Sequence, residues 1–149
     1  MYYHFKIHKE TDGYWGECIE LEGCATQGDS LEELQKNMEE ALNLYLDEPD
    51  NSDITFPMPS KEFKGGNIVE VPVLPKIAFA LMMRMLRKQR GLTQSEIAKL
   101  LGMNNIYSYQ RLERSKQANP SLTTLAKIKK VFPDLKVDEI LFSGSNKKG

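Results

Sequence analysis

The spacing of apolar and polar residues predicts four strands in the first half of the chain. Residues 3–8 and 14–19 are rich in aromatic and branched side chains, and Asp12-Gly13 between them is a typical hairpin turn. A short third strand is predicted at residues 24–27 and a fourth at 68–73. The first three predicted strands are separated from the fourth by a segment of different periodicity.

That segment, residues 30–46, has the pattern of an amphipathic helix. Ser30 and Glu33 match the capping box that begins many helices, and four glutamates occupy the polar face. The apolar positions at helical spacing are Leu31, Leu34, Met38, Ala41, Leu42 and Tyr45. A helix that covers one face of a sheet makes the first half an α+β domain in the order β-β-β-α-β. Residues 47–66 are rich in Pro, Gly, Asp and Ser and are predicted to form a loop.

From residue 76 the apolar spacing is helical throughout, which predicts an all-α second domain. Gly91 and Gly102 each end a helix, and Thr93 with Glu96 makes a second capping box. A third helix is predicted at residues 105–115. A fourth begins at Ser121, with Leu122, Leu125, Ile128 and Phe132 expected to be buried, and a fifth covers residues 137–142.

A helix ending at Gly91, a capped helix, the Gly102 turn and a third helix have the arrangement of a helix-turn-helix, in which the helix after the turn reads the major groove of DNA. In the third predicted helix Ile106, Tyr109 and Leu112 share the inward face, so the intervening polar residues face outward. Asn and Arg side chains can bond base edges, and hydroxyls can reach phosphates. The predicted DNA-contacting residues of this helix and its flanks are Asn104, Asn105, Tyr107, Ser108, Arg111, Arg114 and Lys116, with Thr93 at the start of the preceding helix.

Charge divides the chain at the same place as the periodicity. Residues 1–75 contain 5 Lys/Arg and 16 Asp/Glu, a net charge of −11, whereas residues 76–149 contain 15 Lys/Arg and 5 Asp/Glu, a net charge of +10. A basic domain suits nucleic acid and an acidic one suits a basic partner. We therefore predict two domains, an acidic one at 1–75 and a basic one at 76–142, followed by a flexible tail at 143–149.

Several other classes of function are not favoured by the sequence. The chain has no apolar run long enough for a membrane span and no secretory signal pattern at its start, so a cytoplasmic protein without membrane contact is expected. Cys18 and Cys24 lack metal-ligand spacing, and His4 and His8 are interpreted as ordinary strand residues. No catalytic or nucleotide-binding motif is present, so we expect no enzyme activity, no metal and no cofactor.

The basic half resembles the Cro/lambda-repressor-like helix-turn-helix family over about 65 residues. The matching motifs are Leu92-Thr93-Gln94, Ala98, Leu101-Gly102, Arg111-Leu112-Glu113 and Asn119-Pro120-Ser121-Leu122. The resemblance implies that Gln94 touches a phosphate and that Glu113 forms a partly buried ion pair with Arg87. Residues 103–110 are one longer than the usual spacing, which leaves open whether Asn104 or Asn105 takes the base-reading position. The remaining alternative is a helical bundle whose basic residues only keep it soluble.

The acidic half resembles the N-terminal domain of HicB-type antitoxins. The matching motifs are Gly13-Tyr14, Leu21-Glu22-Gly23-Cys24, Thr26-Gln27-Gly28-Asp29 and Pro57-Met58-Pro59-Ser60. The resemblance implies a partial ribonuclease-H-like fold without nuclease activity, which binds a small basic mRNA-cleaving HicA-like toxin. Trp15, Glu17 and Glu20 are the candidate toxin-binding residues, because an exposed tryptophan among carboxylates suits an interface. Acidity that serves solubility alone is the simpler alternative.

Together these observations predict an antitoxin that neutralises its toxin and represses its own operon by binding operator double-stranded DNA. Operator half-sites are read in pairs, so a homodimer or a dimer of dimers is expected. The alternative is a stand-alone helix-turn-helix regulator whose acidic domain senses another ligand or partner.

Overall fold

The computed structural model describes residues 1–49, 53–60 and 63–141, in which a small antiparallel sheet is followed by a group of helices. The strands are β1 (Tyr2–Glu10), β2 (Gly13–Cys18), β3 (Ala25–Gly28) and β4 (Ile68–Pro72), and the helices are α1 (Leu31–Leu46), α2 (Pro75–Gln89), α3 (Gln94–Leu100), α4 (Ile106–Gln110), α5 (Leu122–Val131) and α6 (Val137–Leu141). The sheet followed by helices confirms the predicted order of the two fold classes. The predicted tail, 143–149, and Phe142 at the end of the last predicted helix lie outside the described residues.

The chain separates into two compact units. The first is built from Met1–Asp47 and Phe56–Leu74, and the second from Glu48–Thr55 and Pro75–Ile140. The described residues 48–49 and 53–55 therefore belong to the helical unit although they precede β4 in the sequence. In the described part of the chain, the residues between α1 and β4 form neither helix nor strand.

The first unit is a four-stranded antiparallel sheet with α1 packed on one face. Its strand order is β3-β2-β1-β4. The β1–β2 turn is Thr11–Asp12, one residue earlier than the sequence predicts, because Gly13 already belongs to β2 and pairs with Glu10. Tyr3 and Phe5 of β1 are fully buried, since alternate residues of a strand point to the same face. The opposing helix buries Leu34, Met38, Leu42 and Leu46. Apolar burial between these two layers forms the core of the unit.

Helix α1 begins where its sequence predicts, because Ser30 caps it. The Ser30 side chain accepts a hydrogen bond from the backbone N–H of Glu33, and the Glu33 carboxylate accepts one from the N–H of Asp29. Leu31 was predicted to face the core, but it is exposed. Side chains in the first turn lean toward the helix N-terminus, beyond the edge of the layer they would otherwise cover.

Among the described residues, the second unit contains five α-helices, and its apolar core includes Ile97, Tyr109 and Ile128. Two predictions are wrong here. Leu122 was expected to be buried but is 85% exposed, because it directly follows the N-cap Ser121, as Leu31 follows Ser30. The helix predicted at 105–115 ends at Gln110 and continues only as a 3₁₀ turn, Arg111–Glu113, after which the backbone of Arg114 is extended.

Candidate nucleic-acid interface

Helices α3 and α4 form a compact turn motif whose ends are fixed by local bonds. The Thr93 side chain accepts from the N–H of Glu96 while the Glu96 carboxylate accepts from the N–H of Thr93, both at 3.1 Å. Gly91 and Gly102 have φ of +63° and +69°, the left-handed conformation that glycine tolerates best after a helix. The predicted capping box and both helix ends are therefore confirmed.

A second cap begins α4. The Asn105 Oδ1 atom accepts hydrogen bonds from the N–H of Ser108 at 3.0 Å and from its hydroxyl at 3.2 Å. This bond satisfies one of the free N–H groups at the helix start, so it stabilises a helix of only five residues. Asn104 lies just before the cap and is exposed.

Beneath α3 and α4 lies a buried cluster centred on Glu113. Its carboxylate accepts from Arg87 Nε at 2.6 Å and Arg87 Nη2 at 3.1 Å, and also from the Tyr109 hydroxyl. The structure thus brings together the ion pair that the resemblance implied. Removing either partner from such a pair leaves an uncompensated buried charge, which is strongly destabilising.

The cluster shifts the ionisation of its members. Burial lowers the pKa of Arg87, but the hydrogen bond and charge of Glu113, together with smaller contributions from Asp53 and Tyr109, raise it above the ordinary value. Burial raises the pKa of Tyr109, and the nearby Glu113 charge raises it further. Both shifts keep the arginine charged and the tyrosine neutral across the physiological range.

The residues predicted to contact DNA lie on the exposed side of this motif. Tyr107 is 68% exposed, and Arg111 follows α4 directly with its side chain in solvent. The other exposed candidates are Thr93, Asn104, Asn105, Ser108 and Lys116. Gln94 and Arg114 are half-buried. A basic and amide-rich surface of this kind suits both phosphate oxygens and base edges.

Sequence reasoning did not assign roles to two polar contacts of the motif. Gln94 Nε2 donates to Glu113 Oε1 at 3.2 Å, and Gln110 Nε2 donates to Gln94 Oε1 at 3.1 Å. The Gln94 amide therefore donates one hydrogen bond and accepts another. Helical spacing placed Tyr109 in the core without a role for its hydroxyl. The i, i+4 spacing of Tyr109 and Glu113 is the signal that could have indicated their hydrogen bond.

Arg87 also contacts the segment that precedes β4 in the sequence. Its Nη2 atom lies 3.2 Å from Asp53 Oδ1, and Arg84 Nη1 donates to the carbonyl oxygen of Ile54 at 3.1 Å. The backbone carbonyl of Asp53 also accepts from Lys88. Residues 53 and 54 are therefore fastened to α2 by three cationic side chains.

The candidate partner-binding residues of the first unit differ in accessibility. The ring of Trp15 stacks on that of His8 with centroids 4.1 Å apart, and His8 Nε2 lies 2.6 Å from Glu17 Oε2. The Glu17 side chain is 44% exposed. The partner-facing candidates Trp15 and Glu17 thus share one face of the sheet, opposite the face covered by α1.

Glu20 occupies a different environment. Its side chain is 5% exposed and accepts from the backbone N–H groups of His4 at 2.9 Å and Ser60 at 3.2 Å. Its second contact with His4 joins Glu20 Oε2 to His4 Nδ1 at 2.8 Å. Glu20 therefore ties β1 to the segment around Ser60, and its carboxylate is not available at the surface.

Comparison with known proteins identifies the class of the helical unit. Residues 83–140 match the HTH_3 helix-turn-helix family, so this part of the chain is a DNA-binding domain of a regulator. Within the described residues, no helix is both long enough and apolar enough to cross a membrane.

Three curated relatives match this chain, two of them over more than two thirds of their own length. A UPF0150 protein of Archaeoglobus fulgidus is 39% identical over 66 residues, which cover 44% of this chain and 87% of the relative. A UPF0150 protein of Helicobacter pylori is 38% identical over 50 residues, or 34% of this chain and 69% of the relative. One from Synechocystis is 45% identical over 42 residues, 28% of this chain and 53% of the relative. The chain belongs to the UPF0150 family.

Proposed function

We propose that this protein is an antitoxin that neutralises a small basic, mRNA-cleaving toxin of the HicA type and represses its own operon. The observation that carries the proposal is the division of charge, −11 on residues 1–75 and +10 on residues 76–149, along with a DNA-binding domain in the basic part. Opposite charges in one chain suit two partners of opposite charge. The protein acts in this proposal by binding, not by catalysis.

The acidic unit supports a basic protein partner. Exposed carboxylates are concentrated on the solvent side of α1, where the acidic side chains are Glu32, Glu33, Glu39 and Glu40. Such a surface accelerates encounter with a basic protein and discriminates against acidic ones. Glu17 and the Trp15–His8 stack offer a second contact area with an aromatic anchor. The unit then corresponds to a partial ribonuclease-H-like fold that has kept only its binding role.

The helical unit supports operator binding by α4 and the residues around it. Both asparagines are exposed, but the side chain of Asn105 caps the helix, so we assign the base-reading role to Asn104. Arg111 is the second base-reading candidate, since arginine bonds guanine through two donors. One such motif contacts too few base pairs for tight binding, and a homodimer or a dimer of dimers supplies paired half-sites.

Residues 53 and 54 offer a route by which toxin binding changes DNA binding. They bond Arg84 and Arg87 of α2, and Arg87 is also bonded to Glu113 beneath the DNA-contacting helices. A partner that displaces this segment alters the charge balance around Arg87. Operator affinity that stays constant at saturating toxin would exclude this coupling.

Co-expression with the protein encoded beside this one tests the antitoxin role. We expect a stable complex in an affinity pull-down and recovery of growth when the antitoxin accompanies the toxin. An Arg111→Ala variant serves as the matched control, since it should still rescue growth while losing operator binding. A neighbour that is neither toxic nor bound would favour the stand-alone regulator, with an acidic unit that senses another partner.

A further inference from the structure

We infer that Tyr109 is a positioning residue for DNA recognition, whose buried hydroxyl acts through Glu113 to fix the amide groups of Gln94 and Gln110. The inference rests on DNA binding by the helix-turn-helix unit. It adds a role for a tyrosine that the helical pattern placed only in the core.

The hydroxyl of Tyr109 lies in the apolar core. At this position phenylalanine would have only a hydrogen atom in place of the hydroxyl. The residue is 0% exposed, and its hydroxyl donates to Glu113 Oε2. Burying a hydroxyl is unfavourable unless it finds a partner, and phenylalanine would fill nearly the same volume without that cost. The bond to a charged acceptor offsets the cost and restricts the carboxylate to one orientation.

The orientation of Glu113 determines which oxygen faces α3. Arg87 Nε and the Tyr109 hydroxyl both bond Oε2, which leaves Oε1 for Arg87 Nη2 and for Gln94 Nε2. Without the hydroxyl, one of the bonds that hold the carboxylate in this rotation is lost. The acceptor for Gln94 then becomes less well placed.

The fixed Gln94 amide in turn holds Gln110. Gln94 is the first residue of α3 and Gln110 is the last residue of α4, so the 3.1 Å bond between their amides joins the two helices of the motif. Arg111 follows Gln110 directly. Side chains held in their binding geometry before association lose less entropy on binding, so this bond should favour the specific complex.

A duplex enriched from a randomised 30-base-pair library by the unmodified full-length protein provides the probe, with poly(dI-dC) as the non-specific competitor. Failure to enrich any duplex would count against DNA binding itself, independently of Tyr109. With an enriched duplex in hand, Tyr109→Phe should reduce the ratio of specific to non-specific affinity about tenfold, a typical effect of one lost charge-assisted hydrogen bond. The salt dependence of the non-specific affinity should stay unchanged, because no charged contact to phosphate is removed.

Tyr3→Phe is the matched control. Tyr3 is also 0% exposed and its hydroxyl donates to the carbonyl oxygen of Pro57 at 2.7 Å, but it belongs to the first unit. This variant should lower thermal stability as Tyr109→Phe does and leave the specificity ratio unchanged. An equal loss of specificity in both variants would attribute the effect to stability and overturn the inference.

A double-mutant cycle separates positioning from packing. In a Gln94→Ala background, the additional Tyr109→Phe change should leave the specificity ratio where Gln94→Ala had put it. A further tenfold loss in that background, or no loss from Tyr109→Phe alone, would show that Tyr109 does not act through Gln94. If Tyr109→Phe fails to fold, Gln110→Ala replaces it in the same test. This variant removes the last amide in the series of hydrogen bonds that runs from Tyr109 through Glu113 and Gln94.

Discussion

Gly28 is buried where β3 ends and the first turn of α1 passes close to the strand. A Cβ atom at this position would lie 2.7 Å from the backbone nitrogen of Leu34 and 2.9 Å from its Cα. Those atoms belong to the helix backbone, so they cannot avoid the contact by a change of rotamer as a side chain can. Only glycine therefore allows α1 to lie this close to the sheet.

Replacement of Gly28 by alanine should lower the free energy of unfolding by about 2 kcal/mol, the typical cost of overpacking a tight contact. Urea denaturation of the full chain measures it. Gly66→Ala is the matched control, since a Cβ there meets nothing within 4 Å. Equal midpoints for the two variants would mean that the helix moves away from the sheet without cost.

The buried tyrosines give each unit a dependence on alkaline pH. Burial raises the pKa of Tyr3 as it does that of Tyr109. Below the ordinary tyrosine pKa of about 10, folded and unfolded chains are both protonated and stability does not change through these groups. Above about pH 10 the unfolded chain loses these protons first, so stability falls by about 1.4 kcal/mol per pH unit for each tyrosine.

Urea unfolding at pH 8 to 11 tests this dependence, with a Tyr3→Phe/Tyr109→Phe double variant as the reference. Lysines ionise in the same range in both proteins, so the difference in slope isolates the tyrosines. The double variant should lose stability less steeply above about pH 10. Parallel curves would place both hydroxyls in an ordinary aqueous environment.

At the scale of elements, α4 is shorter than its apolar pattern indicates. Its five residues are too few for a stable isolated helix, and the Asn105 cap together with packing of Tyr109 holds it in place. The apolar spacing of Ile106, Tyr109 and Leu112 continues into the 3₁₀ turn without a change of helix face. For this reason periodicity alone extended the helix past its actual end.

The two adjacent asparagines should separate stability from recognition. Asn105→Ala should cost about 1 kcal/mol of stability, because a cap is lost. Asn104→Ala should change stability by less than about 0.5 kcal/mol, since the residue is exposed, yet weaken binding to the enriched duplex. Thermal unfolding and fluorescence anisotropy on both variants measure these effects. If Asn104→Ala lowered stability and Asn105→Ala weakened only DNA binding, Asn105 would be the base-reading residue and Asn104 the structural one.

At the scale of the whole molecule, two surfaces of opposite charge should function separately. Arg111→Ala should abolish specific DNA binding and leave toxin neutralisation intact, whereas Glu17→Lys should weaken neutralisation about tenfold and leave DNA binding unchanged. Electrophoretic mobility shift and growth rescue provide the two measurements. Loss of both activities in either variant would contradict the separation.

Glu17 is the better residue for that test than Glu20. Nearly all of the Glu20 side chain is buried. It accepts hydrogen bonds from two backbone N–H groups and contacts the ring of His4. Charge reversal there would remove these bonds and place a cation among their donors, so the unit would unfold. An effect on partner binding could not then be distinguished from loss of the fold.

The sequence alone predicted both fold classes, the caps at Ser30 and Thr93, and the helix ends at Gly91 and Gly102, and it predicted the β1–β2 turn one residue too late. The caps and the helix ends depend on bonds between residues at most five apart, whose geometry is set by residue type and spacing. The division of charge is likewise a property of composition. The role of Trp15, Glu17 and the DNA-contacting residues in binding stays a prediction.

The tertiary structure decided which residues far apart in the sequence contact each other. Glu20 and Glu17 are both carboxylates near the end of β2, but only the arrival of His4 and Ser60 buries one of them. Similarly, Asp53 meets Arg87 across 34 positions of sequence. Such contacts depend on how the loops close and how the layers pack. Loop closure and packing are determined by the burial of side chains throughout the unit, and no local sequence pattern contains that information.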